Sequence, residues 1–130
     1  MLVVDATVAL AACAARRGFE ALADPDLVAP PLLWSEGRSL LHELARRGEL
    51  PVSRARALRR ALDAAPVAEQ GHPRLGETAW DVADRMRMGR TYAAEYLALA
   101  LLLGCPLVTL DGEVRERGRG IARVLGPAEL

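Results

Sequence analysis

Apolar residues fall along this chain in short runs and helical stripes that alternate. Leu2-Val3-Val4 is an apolar run closed by Asp5, the pattern of a short buried strand. Asp5 or Thr7 can cap a helix that runs through Val8 and Ala12 to about Arg16. A brief second helix, Phe19 to Ala23, is broken by Asp24-Pro25. Leu27-Val28-Ala29 then predicts a strand. Pro30-Pro31 opens a helix with apolar residues at Leu33, Leu40, Leu41 and Leu44, which stops at Arg47-Gly48. Ser53 is placed to cap the next, with Ala55, Leu58 and Leu62 inward and Arg54, Arg56, Arg59 and Arg60 outward. Pro66-Val67-Ala68 fits an edge strand. Leu75 to Met88 predicts a helix with Gly89 at its C-cap. Thr91 starts another, apolar nearly all round from Tyr96 to Leu103 and ended by Gly104. Pro106 to Leu110 is the clearest strand and ends at Asp111-Gly112; Ile121 to Leu125 is a weaker one.

Strands separated by helices need crossover connections, so the pattern predicts an α/β fold: a mainly parallel sheet covered on both faces, a three-layer α/β/α sandwich. The 130 residues suit one domain, 1–130, and are too few for two ordinary ones. With 52% of residues hydrophobic, a buried core needs no staples. There is no internal repeat or linker. No apolar run reaches the roughly 18 residues of a membrane span, and Leu2-Val3-Val4-Asp5 at the start is not preceded by a basic signal region. Cys13 and Cys105 sit among small apolar neighbours and read as reduced core cysteines of a cytoplasmic protein.

Charge changes the picture little. The 17 basic residues balance 17 acidic ones, and every basic residue is arginine. Zero net charge argues against a purely electrostatic nucleic-acid binder, but not against an enzyme whose acidic site is offset by local arginines.

The carboxylates carry the chemistry. Parallel sheets place their sites outside the carboxyl ends of the strands, where Asp5 and Asp111 fall. Each also has a plain explanation, since Asp caps helices and Asp-Gly makes turns. Glu36 shares a helix face with Leu32, Leu33 and Leu40, so it must be paired with an arginine, hydrogen-bonded, protonated or metal-bound. Three clustered carboxylates would suit Mg2+ or Mn2+, which take oxygen ligands and promote displacement at phosphate. His42 and His72 have no nucleophile in register, and no Walker or dinucleotide motif occurs. A receiver-type or Asp-x-Asp phosphatase domain is disfavoured: there is no lysine, and position 7 is Thr.

These residues resemble the PIN-domain family, in particular toxin ribonucleases of the VapC kind. Leu2-Val3-Val4-Asp5-Ala6-Thr7 is similar to the opening of such domains, Leu33-Trp34-Ser35-Glu36 to the segment bearing their Glu, and Tyr92 to Ala100 with Gly104 to Asp111 to their most recognisable stretch. The resemblance implies an endoribonuclease, the toxin of a type II toxin–antitoxin system, dependent on Mg2+ or Mn2+, acting on RNA, dimeric with itself, and neutralised by a cognate antitoxin protein. It implies Asp5, Glu36 and Asp111 as metal ligands, supported by Thr7 and Thr109, whose ordinary roles would be a cap and a strand hydroxyl.

One position departs from the family. Where an Asp usually follows the tyrosine that opens the central helix, this chain has Ala93. Glu95 lies two residues on, and two helical steps turn a side chain by roughly 200°. Glu95 therefore joins the site only by an irregular first turn or by folding back; otherwise it is a Glu favoured near a helix N-terminus. That leaves open a module that binds RNA or an antitoxin-like protein without cutting. Arg85, Arg87 and Arg90 are candidates for holding RNA phosphates, with Arg115, Arg117, Arg119 and Arg123 as a second group; the alternative for each is a solvated surface.

Overall fold

Leu2–Val4 forms β1, the middle strand of a five-stranded sheet. The structure is a computed structural model that describes residues 1–130. Around β1 stand β2 (Leu27–Ala29), β3 (Ala68–Glu69), β4 (Leu107–Val108) and β5 (Val124–Leu125), in the order β3-β2-β1-β4-β5 and all parallel. Helices α1 (Ala6–Ala14), α2 (Leu32–Arg46), α3 (Val52–Asp63), α4 (Leu75–Met86), α5 (Tyr92–Leu103) and α6 (Gly112–Gly118) make the crossovers, with short 3-10 turns at Gly18–Leu22 and Pro127–Glu129. The chain moves outward from β1 through β2 to β3, then returns to the other side of β1 for β4 and β5. The direction therefore reverses between β1 and β4, the place where an open parallel sheet leaves a crevice for a ligand.

Covering both faces explains why the inner strands read as continuous apolar runs and not as alternation. Every residue of β1, β2 and β4 is buried. Helix α5 lies between the sheet, where it meets β1 and β4, and α4 outside it. That is why it is apolar all round, with Ala94 and the whole stretch Tyr96–Ala100 buried. On the other flank α1, α2 and α3 pack together. Gly37 allows the close approach of α2 and α3: a Cβ there would stand 2.6 Å from Leu62 Cδ2. Trp34 ties the same pair by donating from Nε1 to the Leu62 carbonyl at 3.2 Å.

Several local expectations change. Pro51, without a side-chain cap, stands before α3, so Ser53 is an exposed helical residue and not the cap. Helix α4 ends at Met86, and its left-handed C-cap is Arg87 (φ 57°), not Gly89. A non-glycine residue there is disfavoured. Arg117 offsets the cost by donating to the carbonyls of both Met86 and Arg87 at 3.1 Å. Residues 112–118 form α6, a helix the apolar pattern did not predict because only Val114 and Gly118 are buried in it. Strand β4 covers two residues instead of five: the Thr109 N–H still bonds the Leu125 carbonyl at 3.0 Å, but the Leu110 N–H leaves the sheet for the Thr7 hydroxyl on α1. Strand β5 starts at Val124 because Ile121 and Ala122 are held in a turn by the Gly118 carbonyl. On α2 the buried positions are Leu33, Gly37 and Leu41, while Leu40 is exposed. Both cysteines are free and half-buried, and no helix is long and apolar enough to cross a membrane.

Leu97 is fully buried and its δ carbons pack against the backbone of Gly118. Leu97→Ala is expected to lower the unfolding free energy by about 2–5 kcal/mol, measured as a shift in urea midpoint at unchanged slope.

Candidate active site

Asp5 is the first residue after β1 and the N-cap of α1, so the turn from central strand to helix fixes its side chain at the switch point. It is 6% exposed. Its Oδ1 accepts from the Thr7 hydroxyl at 2.6 Å and the Val8 N–H at 3.0 Å, and its Oδ2 accepts from the Thr109 hydroxyl. Both threonines are themselves acceptors. Thr7 Oγ1 takes the Leu110 N–H at 3.1 Å, and Thr109 Oγ1 takes the Asp111 N–H at 3.0 Å. The end of β4 is therefore tied to Asp5 by two relays, each running from a backbone amide through a hydroxyl to a carboxylate oxygen.

Those relays set Asp111 beside Asp5. Asp111 caps α6, its Oδ1 accepting from the N–H groups of Glu113 at 2.9 Å and Val114 at 3.2 Å. Its Oδ2 has no protein donor. The plain reading of Asp5 and Asp111 as caps is thus correct. It is also compatible with a site, because a carboxylate can accept about four hydrogen bonds and neither is saturated.

Glu36 reaches the same region from the second turn of α2. It is half-buried, and Oε1 accepts from the hydroxyl of Tyr96 on α5 at 3.0 Å. Of the options for Glu36, the structure takes the hydrogen bond; no arginine pairs with it, and the ion pairs of the molecule lie elsewhere. Tyr96 was not singled out from the sequence. The available signal was a hydroxyl inside an otherwise apolar helix, which needs a partner when buried.

Helix α5 is regular from its start, Glu95 N–H bonding Thr91 O at 3.0 Å, so the first turn does not distort to bring Glu95 to the place of Ala93. Glu95 instead acts on Glu36 and Tyr96; its charge is not among those that act on Asp5. The acids act on one another in pairs, Asp111 on Asp5 and both Asp5 and Glu95 on Glu36, and no three His, Cys, Asp or Glu side chains are grouped so as to hold an ion together.

Burial pushes the Asp5 carboxyl above the usual carboxylate range; the hydroxyls of Thr109 and Thr7 and the Val8 N–H pull it back, and the charge of Asp111 adds to the rise. Burial likewise raises Glu36, opposed by Tyr96 and reinforced by Asp5 and Glu95, and burial raises Glu95. The Tyr96 phenol is pushed strongly upward by burial and by the Glu36, Asp5 and Glu95 charges, so it remains a neutral donor.

The arginines divide. Arg117 is engaged with Glu113 and the end of α4, and Arg115 with Glu129, so neither is free for a ligand. Arg85, Arg87 and Arg90 are exposed on the segment leading into α5, with no ion pair.

Comparison with known proteins gives one consistent family. Residues 2–120 match the PIN domain. The chain is 35% identical over 123 residues, 92% of each chain, to the VapC ribonuclease Mb0985 of Mycobacterium bovis and to the ribonuclease VapC9 of Mycobacterium tuberculosis. In three dimensions it is similar to PAE2754 from Pyrobaculum aerophilum, with a TM-score of 0.76 and 26% identity, covering 98% of this chain and 91% of that one.

A carboxyl raised by burial keeps its proton to higher pH in the folded state than in the unfolded chain. Its stabilising effect is complete below the ordinary carboxylate range and is lost as pH rises through the folded value. Glu36→Gln retains the acceptor for Tyr96 and removes the charge. In metal-free protein it is expected to raise Tm by a few degrees at pH 7.5, the gain shrinking toward zero near pH 4; melts of both proteins across pH 4–8 check this.

Proposed function

The chain belongs to the PIN-domain family, and from that premise we propose that it is a metal-dependent endoribonuclease, the toxin of a type II toxin–antitoxin pair. What supports this reading is the mutual repulsion of acids from separate segments beside β1, Asp5 with Asp111, Asp5 with Glu36 and Glu36 with Glu95, with no arginine ion-paired to any of them. Carboxylates so placed repel one another, and a dication relieves the repulsion. An oxygen-only donor set selects a hard cation, Mg2+ or Mn2+. Mg2+ keeps several of its waters, so carboxylates can hold it partly through those waters instead of by direct contact.

In this reading Asp5, Asp111 and Glu36 hold the ion, and Glu95 adds negative charge from the Glu36 side. When bound, the ion would supply an activated water and charge stabilisation for in-line displacement at a phosphate. Thr7 and Thr109 keep Asp5 oriented and couple it to Asp111. Asp111 Oδ2 and Glu36 Oε2, free of protein donors, are the oxygens available to the ion or its waters. Relatives named as ribonucleases point to RNA as the substrate. Arg85, Arg87 and Arg90, beside the N-terminus of α5, would hold its phosphates, each contact weakening binding as salt rises. A cognate antitoxin protein, a homodimer and a cytoplasmic location belong to the same reading. Ala93 favours a second one, in which the module binds RNA or an antitoxin-like protein but cuts slowly or not at all.

Purified protein is expected to cleave RNA with Mg2+ or Mn2+ and to stop with excess chelator; undiminished cleavage in chelator rules the metal mechanism out. Asp5→Asn or Asp111→Ala is expected to lower the rate ~100-fold or more, the scale of several kcal/mol of lost charge stabilisation. Ala93→Asp separates the two readings. A large gain in cleavage marks a site crippled by Ala93, and an unchanged rate marks compensation by Glu95.

A further inference from the structure

We propose that Tyr96 is a positioning residue of the acidic site, its buried hydroxyl holding Glu36 by Oε1 so that Oε2 is the oxygen presented to a divalent cation. The inference rests on the metal-binding reading given above and adds to it a role for a residue outside the carboxylate set.

Glutamate has three rotatable side-chain bonds, and the only side-chain hydrogen bond of Glu36 is the 3.0 Å contact from Tyr96. Asp5 and Glu95 carry charge of the same sign as Glu36 and act on it. Left alone, the carboxylate would swing from α2 into water, away from Asp5. Tyr96 cannot follow such a swing. Tyr96 is 2% exposed, on a helix that lies between the sheet and α4 and whose Ala94, Leu97 and Ala98 are fully buried. The hydroxyl is therefore a fixed point on a rigid helix, holding a flexible side chain on another element sixty residues away.

The chemistry of the donor matters as much as its place. An arginine or lysine at this position would hold Glu36 but cancel its charge and compete with a cation. A neutral phenol orients one oxygen and leaves the charge in place. Groups that orient a metal-binding carboxylate in this way typically matter by about 10-fold or more in metal affinity.

The experiment is Mn2+ binding, read as free Mn2+ by electron paramagnetic resonance, on wild type, Tyr96→Phe, Glu36→Gln and the double variant. Tyr96→Phe keeps the ring and is expected to weaken Mn2+ binding by about 10-fold. It should also raise the Mn2+ concentration for half-maximal RNA cleavage, while the rate at saturating Mn2+ stays within about 3-fold of wild type. In the Glu36→Gln background Tyr96→Phe is expected to change Mn2+ affinity no further, because the hydroxyl acts only through Glu36. Unchanged Mn2+ affinity in Tyr96→Phe overturns the proposal, and so does an equal loss with and without Glu36. A large fall in Tm without a change in affinity marks a packing role and also overturns it. Failure of wild type to bind Mn2+ instead removes the metal reading itself, and this inference falls with it.

Discussion

An ionisable carboxylate enclosed at the middle of a sheet, with no cation beside it, is the constraint on which this structure turns. Asp5 follows the central strand, where the covering helices that make the core also strip water from the acid. Charge buried in that way must be met by donors. The chain meets it with neutral ones: two threonine hydroxyls and the amide of Val8. Because the threonines also accept from Leu110 and Asp111, satisfying Asp5 draws the end of β4 into a defined position. One buried group thus fixes the geometry of a second acid that is more than a hundred residues away in sequence.

The same atoms terminate helices. Asp5 closes the N-terminus of α1 and Asp111 that of α6, and helix N-termini favour negative charge. Capping and site chemistry are therefore not alternatives. A parallel sheet sends each strand into a helix, so the residue at the strand's carboxyl end is at once the cap and the residue facing the crevice. The reversal of strand order beside β1 brings two such residues together.

Arginines could have neutralised the acids, and the fold keeps them apart. Arg38 and Arg59 pair with Asp63, Arg47 with Glu43, Arg115 with Glu129 and Arg117 with Glu113. A net charge of zero is consequently a balance between separate regions, with an acidic crevice left uncompensated. Such a crevice costs stability, since like charges repel and are partly stripped of water.

Much of the architecture was legible in the sequence because it is written locally. A three-residue apolar run before Asp5, a helix apolar on every side and a run ending in Asp111 each announce an element through near neighbours, and alternation of strand and helix forces parallel crossovers. The positions of Asp5 and Asp111 at strand ends followed from the same pattern. What escaped is whatever depends on residues far along the chain. Arg87 caps α4 because Arg117 supports its carbonyl; α6 is too short and too exposed to carry a stripe; Glu36 is held by Tyr96 and not by an arginine; the charge of Glu95 acts on Glu36 and Tyr96 and not on Asp5. The sequence by itself determined the strand–helix order and the acids at the strand ends, since hydrophobic periodicity is a property of adjacent residues. Only the tertiary structure decided which oxygen is bonded, which charge goes unpaired and which side chains share one crevice, since those depend on distances that no local pattern encodes.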